Sequence, residues 1–336
     1  MEIYENFNLR EYNTFHIDAA CKYFVRCEKE EDLLEFVGSY ELKPEEVLIL
    51  GGGSNFLFTE DFDGFVFYPM MQGYEIVEEN EHDVLVRVGS GVVWDDFVAW
   101  AVEHGYGGIE NLSLIPGHVG ATPVQNIGAY GVEAGECIAM VEAVDIVKAE
   151  KVKFDASECR FGYRDSIFKH EWKNRHVVTY VTFRLTRQPV FRLQYGSVRD
   201  EVTRAGEVTL KAVREAIIRI REAKLPDVNV LPNAGSFFKN PVVERKAADA
   251  LLADNPGMPI YPVDDEHVKL AAGWLIEMSG WKGKGIGNAA VHDKQALVLV
   301  NKGGASGIEI AHLANEIKKS VFLKFGVWLE PEVYVI

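Results

Sequence analysis

The sequence predicts an α+β chain of two or three domains. Two observations carry that expectation. Short apolar strands and single helices intermix through the first 195 residues, and helical patterns dominate after them. The 336 residues also exceed what one ordinary core organises. With 48% apolar residues and no low-complexity tract, the chain can bury sizeable cores.

Along the chain, residues 30–38 read as a helix with Leu33, Leu34, Phe36 and Val37 on its apolar side. VLIL at 47–50 reads as a buried strand running into GGGSN at 51–55. Strands come next at FLF (56–58), FVFYPM (65–70), YEIVEE (74–79) and DVLVRVG (83–89), punctuated by Gly, Asp and Asn. Residues 92–104 form an amphipathic helix with Val93, Phe97, Trp100 and Ala101 on one side. Residues 105–137 are glycine-rich with little periodicity. A stretch that long is functional or disordered as a rule, and its aromatic, Ile and Leu content argues for an ordered binding surface. Strands resume at 138–148 and 176–186, with a weaker candidate at 191–195. A strong helix at 208–224 marks a change of character, so the main boundary is placed near 205. Helices recur at 243–254, 269–279 and 308–324, with the apolar strand ALVLV (296–300) between them. The C-terminal VWLEPEVYVI alternates as a strand that must pair with something earlier.

A net charge of −16 argues against a general nucleic-acid or membrane-surface binder. An anionic substrate would need a local excess of bases. Residues 211–246 supply one, with eight (Lys211, Arg214, Arg219, Arg221, Lys224, Lys239, Arg245, Lys246) against four acids. About half of these bases are expected to be an ordinary solvated helix face. Cys21, Cys27, Cys137 and Cys159 are scattered without metal-ligand spacing and read as reduced thiols, and no metal site is expected. MEIYENFNLREYN lacks a basic leader with an apolar stretch, and no segment is long enough to span a bilayer. A cytoplasmic protein is expected.

Two motifs suggest a ligand. The glycines of GGGSN allow a tight turn and close approach of backbone N–H groups to an anion such as a pyrophosphate. The motif is neither GxGxxG nor a Walker loop, and by itself a plain strand-to-strand turn explains it equally well. In the long loop, Gly117, Gly120, Gly128 and Gly131 permit close approach to a flat ligand. Thr122, Gln125 and Asn126 offer donors and acceptors for a heterocycle edge.

GGGSNFLF, IPGHVGATPVQNIGAYG, FGYRDSIFK, KLPD, NAGSFFKNP, AAGWLIE and LEPEV resemble, in order and spacing, the UDP-N-acetylenolpyruvoylglucosamine reductase family. The resemblance runs from Asn13-Thr14-Phe15 to the last residues, and LQYGSV (193–198) looks like the tyrosine loop of the family's first subtype. His118, Ala121 and Thr122 stand where the family's loop varies. The resemblance implies a vanillyl-alcohol-oxidase-like FAD-binding fold of two α+β subdomains, residues 1–70 and 71–205. It also implies a C-terminal α+β UDP-sugar domain, 206–326, with 327–336 returning near the flavin. FAD would be held non-covalently by Asn13, Thr14, Gly51, Gly52, Gly53, Ser54, Asn55, Pro116, Gly117, Ala121, Thr122, Pro123, Gln125, Asn126, Gly128, Ala129, Tyr130 and Gly131. NADPH would reduce the flavin, and UDP-N-acetylglucosamine enolpyruvate would then be reduced to UDP-N-acetylmuramate by a monomer needing no nucleic acid or membrane. The alternative is another FAD-dependent oxidoreductase of the same fold acting on a hydroxy acid or sugar, which could tether flavin through His118.

The chemistry of reducing an enol ether fixes what the site needs. Charge builds on the carboxylate side as hydride adds to the terminal carbon, and the adjacent carbon must then receive a proton. Arg164 in GYRDS suits the first need as a planar, permanently charged donor, unless Asp165 or another acid ties it up. By resemblance Ser236 is the proton donor and Glu332 assists at the carboxylate. Alternation puts Glu330 and Glu332 on one face, so physics alone leaves that pair open, and the motif selects Glu332. Tyr195, Lys224, Asn240 and Gln295 match positions that contact the UDP portion in the family.

Overall fold

The structure is a computed structural model that describes residues 1–204 and 206–336, so residue 205, at the expected boundary, lies outside the described residues. The chain divides into two compact units. The first comprises Met1–Phe7, Cys21–Gly52 and Phe62–Ala223; the second comprises Asn8–Ala20, Gly53–Asp61 and Lys224–Ile336.

The first unit holds two sheets. One has the spatial order Glu2–Asn8, Ala20–Cys27, Phe62–Pro69, Val47–Ile49, with parallel pairing of the last three. The helix Glu30–Ser39 covers it, burying Leu33, Phe36 and Val37 against Val25, Val47 and Phe67. The same cluster takes in Val144 and Val177 from the second sheet and Ile146 from the turn just past its strand. That sheet is antiparallel, in the order Glu150–Asp155, Ile138–Asp145, His176–Thr186, Asp83–Gly89, Tyr74–Glu79. The helix Trp94–Glu103 packs on it through Trp94, Phe97, Val98 and Ala101, while Val93 sits at the N-cap and is exposed.

The helix Leu210–Lys224 follows the expected boundary in sequence but packs within the first compact unit. Its apolar side (Ala212, Val213, Ala216, Ile217, Ile220) packs on Val198, Val202, Tyr130, Phe191 and Leu193, all in the first unit. The break between units therefore comes after Ala223.

In the second unit, Asn233–Ser236, Val298–Asn301, Ala289–Val291 and Gly285–Ile286 form one sheet, and Val242–Glu244, His267–Leu270 and Ile260–Pro262 form another. The helix Gly307–Phe325 starts where Ser306 and Glu309 make a reciprocal capping box. It stops at Gly326, whose φ of 69° closes the C-terminus.

Two expectations about strands need revision, and two edge strands of the first unit's two sheets had not been expected. Those two are Glu2–Asn8 and Glu150–Asp155; exposure hides the first, whereas Val152 and Phe154 of the second do alternate inward. Residues 191–195 form no strand. That segment is instead pinned by Asn111, whose Nδ2 donates to the Arg192 carbonyl at 2.8 Å. The C-terminal alternation yields only Tyr334–Val335 as a strand, paired in parallel with Phe56–Leu57. Pro331 brings no N–H to a ladder and makes a single bridge with Phe238. Among the described residues no helix is long and apolar enough to cross a membrane.

Candidate active site

In the first unit the strand Val47–Ile49 delivers Gly51 and Gly52 against the long loop. A methyl group on Gly52 would stand 2.7 Å from Gly117 Cα, so the two backbones touch and no side chain fits between them. The loop is not loose. The Trp94 N–H donates to the Gly117 carbonyl at 3.0 Å, and Trp94 Nε1 donates to Leu112 O at 2.9 Å. Short helices Val119–Ala121 and Thr122–Gln125 and a hairpin Gly128–Ala129/Val132–Glu133 organise the rest of the loop.

Two of the polar side chains assigned to a heterocycle edge are spent inside this loop. Thr122 Oγ1 donates to Val119 O at 2.7 Å. Asn126 accepts from the Gly135 N–H and donates to Glu133 and to the Gly162 carbonyl. Asn126 thereby anchors the turn that presents Arg164. Gly162 and Asp165 exchange backbone hydrogen bonds at 3.0 and 3.1 Å, and Arg164 takes the left-handed corner with φ 55°. Strain of this kind gathers at sites whose geometry matters. Arg164 Nη2 donates to Gly128 O at 2.7 Å. Asp165 faces His170 at 2.8 Å.

Arg221, on the helix Leu210–Lys224, hydrogen-bonds Tyr130 and lies within electrostatic range of Arg164 and Asp95. Its Nε is shut off from water without a partner among the described residues. Burial pushes the Arg221 guanidinium down from its usual value, and the charge of Arg164 adds to that. Burial likewise raises the Tyr130 phenol. Tyr195 is half exposed, its ring edge-on to Tyr130 with centroids 6.0 Å apart. Pro116 is exposed, and Ala121, Gln125, Ala129 and Gly131 lie along the same loop, whereas Pro123 is buried.

The second unit carries the remaining candidates. Asn13 is buried, and its amide is consumed by Leu9 O, Ile17 O and the Ile17 N–H. Beside it the Thr14 N–H donates to the Gly53 carbonyl, and Thr14 Oγ1 is buried without a partner among the described residues. Gly53 needs its φ of 63°, and a Cβ there would strike Tyr12 O at 1.9 Å. Asn55 comes after Ser54 and donates through Nδ2 to the Glu332 carbonyl at 3.1 Å.

Ser236 closes the strand Asn233–Ser236. Gly235 before it has φ 67° and open space where a side chain would point. The buried Asn233 accepts the Gly235 N–H at 2.9 Å and fixes that turn. Immediately after Ser236, the Phe237 carbonyl accepts the Glu332 N–H at 2.8 Å, and the Lys239 N–H donates to Glu330 O at 2.9 Å. Ser236 and Glu332 are thus brought together by backbone pairing. Of the two glutamates left open by alternation, Glu330 is exposed and Glu332 half-buried. Asn240 Oδ1 accepts the Ala272 N–H at the start of the helix Ala272–Met278, Gln295 folds back toward the Leu297 N–H, and Lys224 is exposed at the end of its helix.

Comparison with known proteins decides the family. Residues 226–336 match the profile of the UDP-N-acetylenolpyruvoylglucosamine reductase C-terminal domain, and residues 21–151 match that of an FAD binding domain. The chain is 48% identical over 332 residues to the UDP-N-acetylenolpyruvoylglucosamine reductase of Bacteroides fragilis, with 99% of both chains covered. It is 45% identical over 339 residues to that of Flavobacterium johnsoniae, covering both fully. The chain belongs to the UDP-N-acetylenolpyruvoylglucosamine reductase family. The crystal structure of the reductase from Thermus caldophilus shares the fold, with a TM-score of 0.70 at 22% identity over 99% of this chain and 98% of that one.

For a member of this reductase family the residues present fit FAD. The Gly51–Gly52 wall pressed on Gly117 lies within the matched FAD binding domain and leaves no room for a side chain between the two backbones. Arg221 is the functional candidate that sequence reasoning left among the general bases. Its signal was a spacing of seven residues from Arg214 on one helix, which puts both on the same side.

Proposed function

We propose that this reductase uses NADPH, through FAD, to convert UDP-N-acetylglucosamine enolpyruvate to UDP-N-acetylmuramate for peptidoglycan synthesis. Full-length identity to the reductases favours this over another FAD-dependent oxidoreductase of the same fold. FAD, when bound, would supply the hydride chemistry that links NADPH to the terminal enolic carbon.

The chain's own residues do the rest. Arg164 and Arg221 are two guanidiniums of one unit within electrostatic range of each other, and an anionic carboxylate relieves their repulsion. Arg164 is the donor aimed where negative charge develops, a role worth roughly 3–4 kcal/mol, whereas Arg221 holds the carboxylate equally throughout the reaction and so sets KM. Ser236 Oγ passes a proton to the adjacent carbon, and Glu332 assists at the carboxylate end. The single observation supporting this pairing is the backbone hydrogen bond from Glu332 to Phe237, which fixes the glutamate beside the serine turn. Tyr195, Lys224, Asn240 and Gln295 serve the UDP portion, with Lys224 answering diphosphate charge. Asn13, Thr122 and Asn126 support the FAD site as scaffold, since their side chains are spent internally.

We further read residues 1–70 and 71–205 as two FAD-binding subdomains and 206–326 as the UDP-sugar domain, with 327–336 returning near the flavin. The enzyme is a cytoplasmic monomer that engages neither nucleic acid nor membrane. Four thiols without disulfides support a reducing compartment, and a net charge of −16 supports the first exclusion. The test is optical. Purified protein should be yellow, bleach anaerobically with NADPH and regain colour with UDP-N-acetylglucosamine enolpyruvate. A colourless preparation that takes up no FAD would overturn the reading.

A further inference from the structure

We propose that Asp95 is a positioning residue for the reductase, its carboxylate joining the loop that carries Gly117 to the helix that carries Arg221. Asp95 lies in the first turn of the helix Trp94–Glu103, directly after the residue that holds the Gly117 carbonyl. Its Oδ1 accepts the N–H of Leu114. Leu114 has φ 60°, a left-handed conformation that costs a branched residue roughly 1–2 kcal/mol and persists only when its surroundings impose it. The same carboxylate takes both Nη atoms of Arg214, at 2.6 and 2.9 Å.

This pair is shielded from solvent. The side chains are 23% and 15% exposed, and a shielded bidentate pair holds geometry that an exposed one would not. Arg214 lies two turns before Arg221 on the same helix side. Asp95 is also the carboxylate whose charge Arg221 feels. One acid therefore sets the loop at Leu114 and the helix at Arg214, and so the aim of Arg221 toward Tyr130 and Arg164.

The inference rests on the proposed reductase chemistry for the role of Arg221, and the test separates the two. Asp95→Asn keeps an oxygen for the Leu114 N–H but cannot hold both Nη atoms. Arg214→Gln removes the same link from the other side. Each should raise KM for UDP-N-acetylglucosamine enolpyruvate about tenfold with kcat within about threefold, and the double variant should be no worse than either single. Both should keep FAD through ultrafiltration. Asp95→Ala, which also strips Leu114 of its acceptor, should release it. A general loss of stability would not divide KM from kcat, nor FAD release from substrate affinity, in this way. An unchanged KM in Asp95→Asn, additive losses in the double variant, or firm FAD retention in Asp95→Ala would each overturn the proposal. Failure of the wild-type enzyme to use the substrate would sink the reductase reading alone, leaving the FAD-release comparison to decide on Asp95.

Discussion

The backbone N–H of Glu332 donates to the carbonyl of Phe237 at 2.8 Å, one residue past Ser236. That bond locks the C-terminal segment beside the serine turn and leaves Glu330 exposed. Glu332→Gln should therefore slow reoxidation of the reduced flavin by substrate at least about tenfold, within the range of a lost acid–base or carboxylate-steering group. Glu330→Gln should stay within about twofold of wild type. Stopped-flow absorbance on both variants checks this, and equal effects would remove the distinction.

Gly52→Ala should yield protein that folds but does not retain FAD. The added methyl meets Gly117 Cα at 2.7 Å, so the loop must back away from the glycine wall. Gly53→Ala should be worse, costing stability as well, because φ 63° and Tyr12 O at 1.9 Å leave the side chain no room. Flavin-to-protein absorbance ratio and thermal unfolding of each variant distinguish the outcomes.

Arg221→Met should lower kcat/KM for the enolpyruvyl substrate by roughly tenfold to a hundredfold, the effect of losing a charged hydrogen-bond donor. Tyr130→Phe, which removes only its phenolic partner, should cost less. Steady-state kinetics at saturating NADPH make the comparison.

Acid should destabilise the first unit through His176. Burial depresses its pKa from 6.5 to about 4, despite Asp145 nearby. The unfolded imidazole takes up a proton below about pH 6.5 while the folded one stays neutral, so stability is lost as pH falls from there toward 4. Between pH 7 and 5 this single group accounts for about 2 kcal/mol. Urea unfolding at both pH values should show His176→Gln losing less stability on acidification than wild type.

The family was legible because its motifs reside in residue type and order. GGGSN, the glycine loop, GYRDS and NAGSFFKNP are recognisable without coordinates, and so was the α+β character. The features that stayed hidden depend on partners. Asn126 and Thr122 look like ligand contacts in sequence, yet their hydrogen bonds go to Gly162 and Val119. Arg221 looks like one more base on a solvated face, although its Nε is closed off from water. The packing of the helix Leu210–Lys224 was hidden for a related reason. Val213, Ile217 and Ile220 announce an amphipathic helix but not which unit supplies the opposing Val198 and Val202. The edge strand Glu2–Asn8 is exposed along nearly its whole length and offers no buried alternation to read.

Anaerobic absorbance at the flavin band tests the central assignment most directly. In Ser236→Ala, NADPH should bleach the flavin at the wild-type rate, while added UDP-N-acetylglucosamine enolpyruvate should restore the colour roughly 10²–10⁴-fold more slowly. Recovery at the wild-type rate would contradict the role given to this hydroxyl.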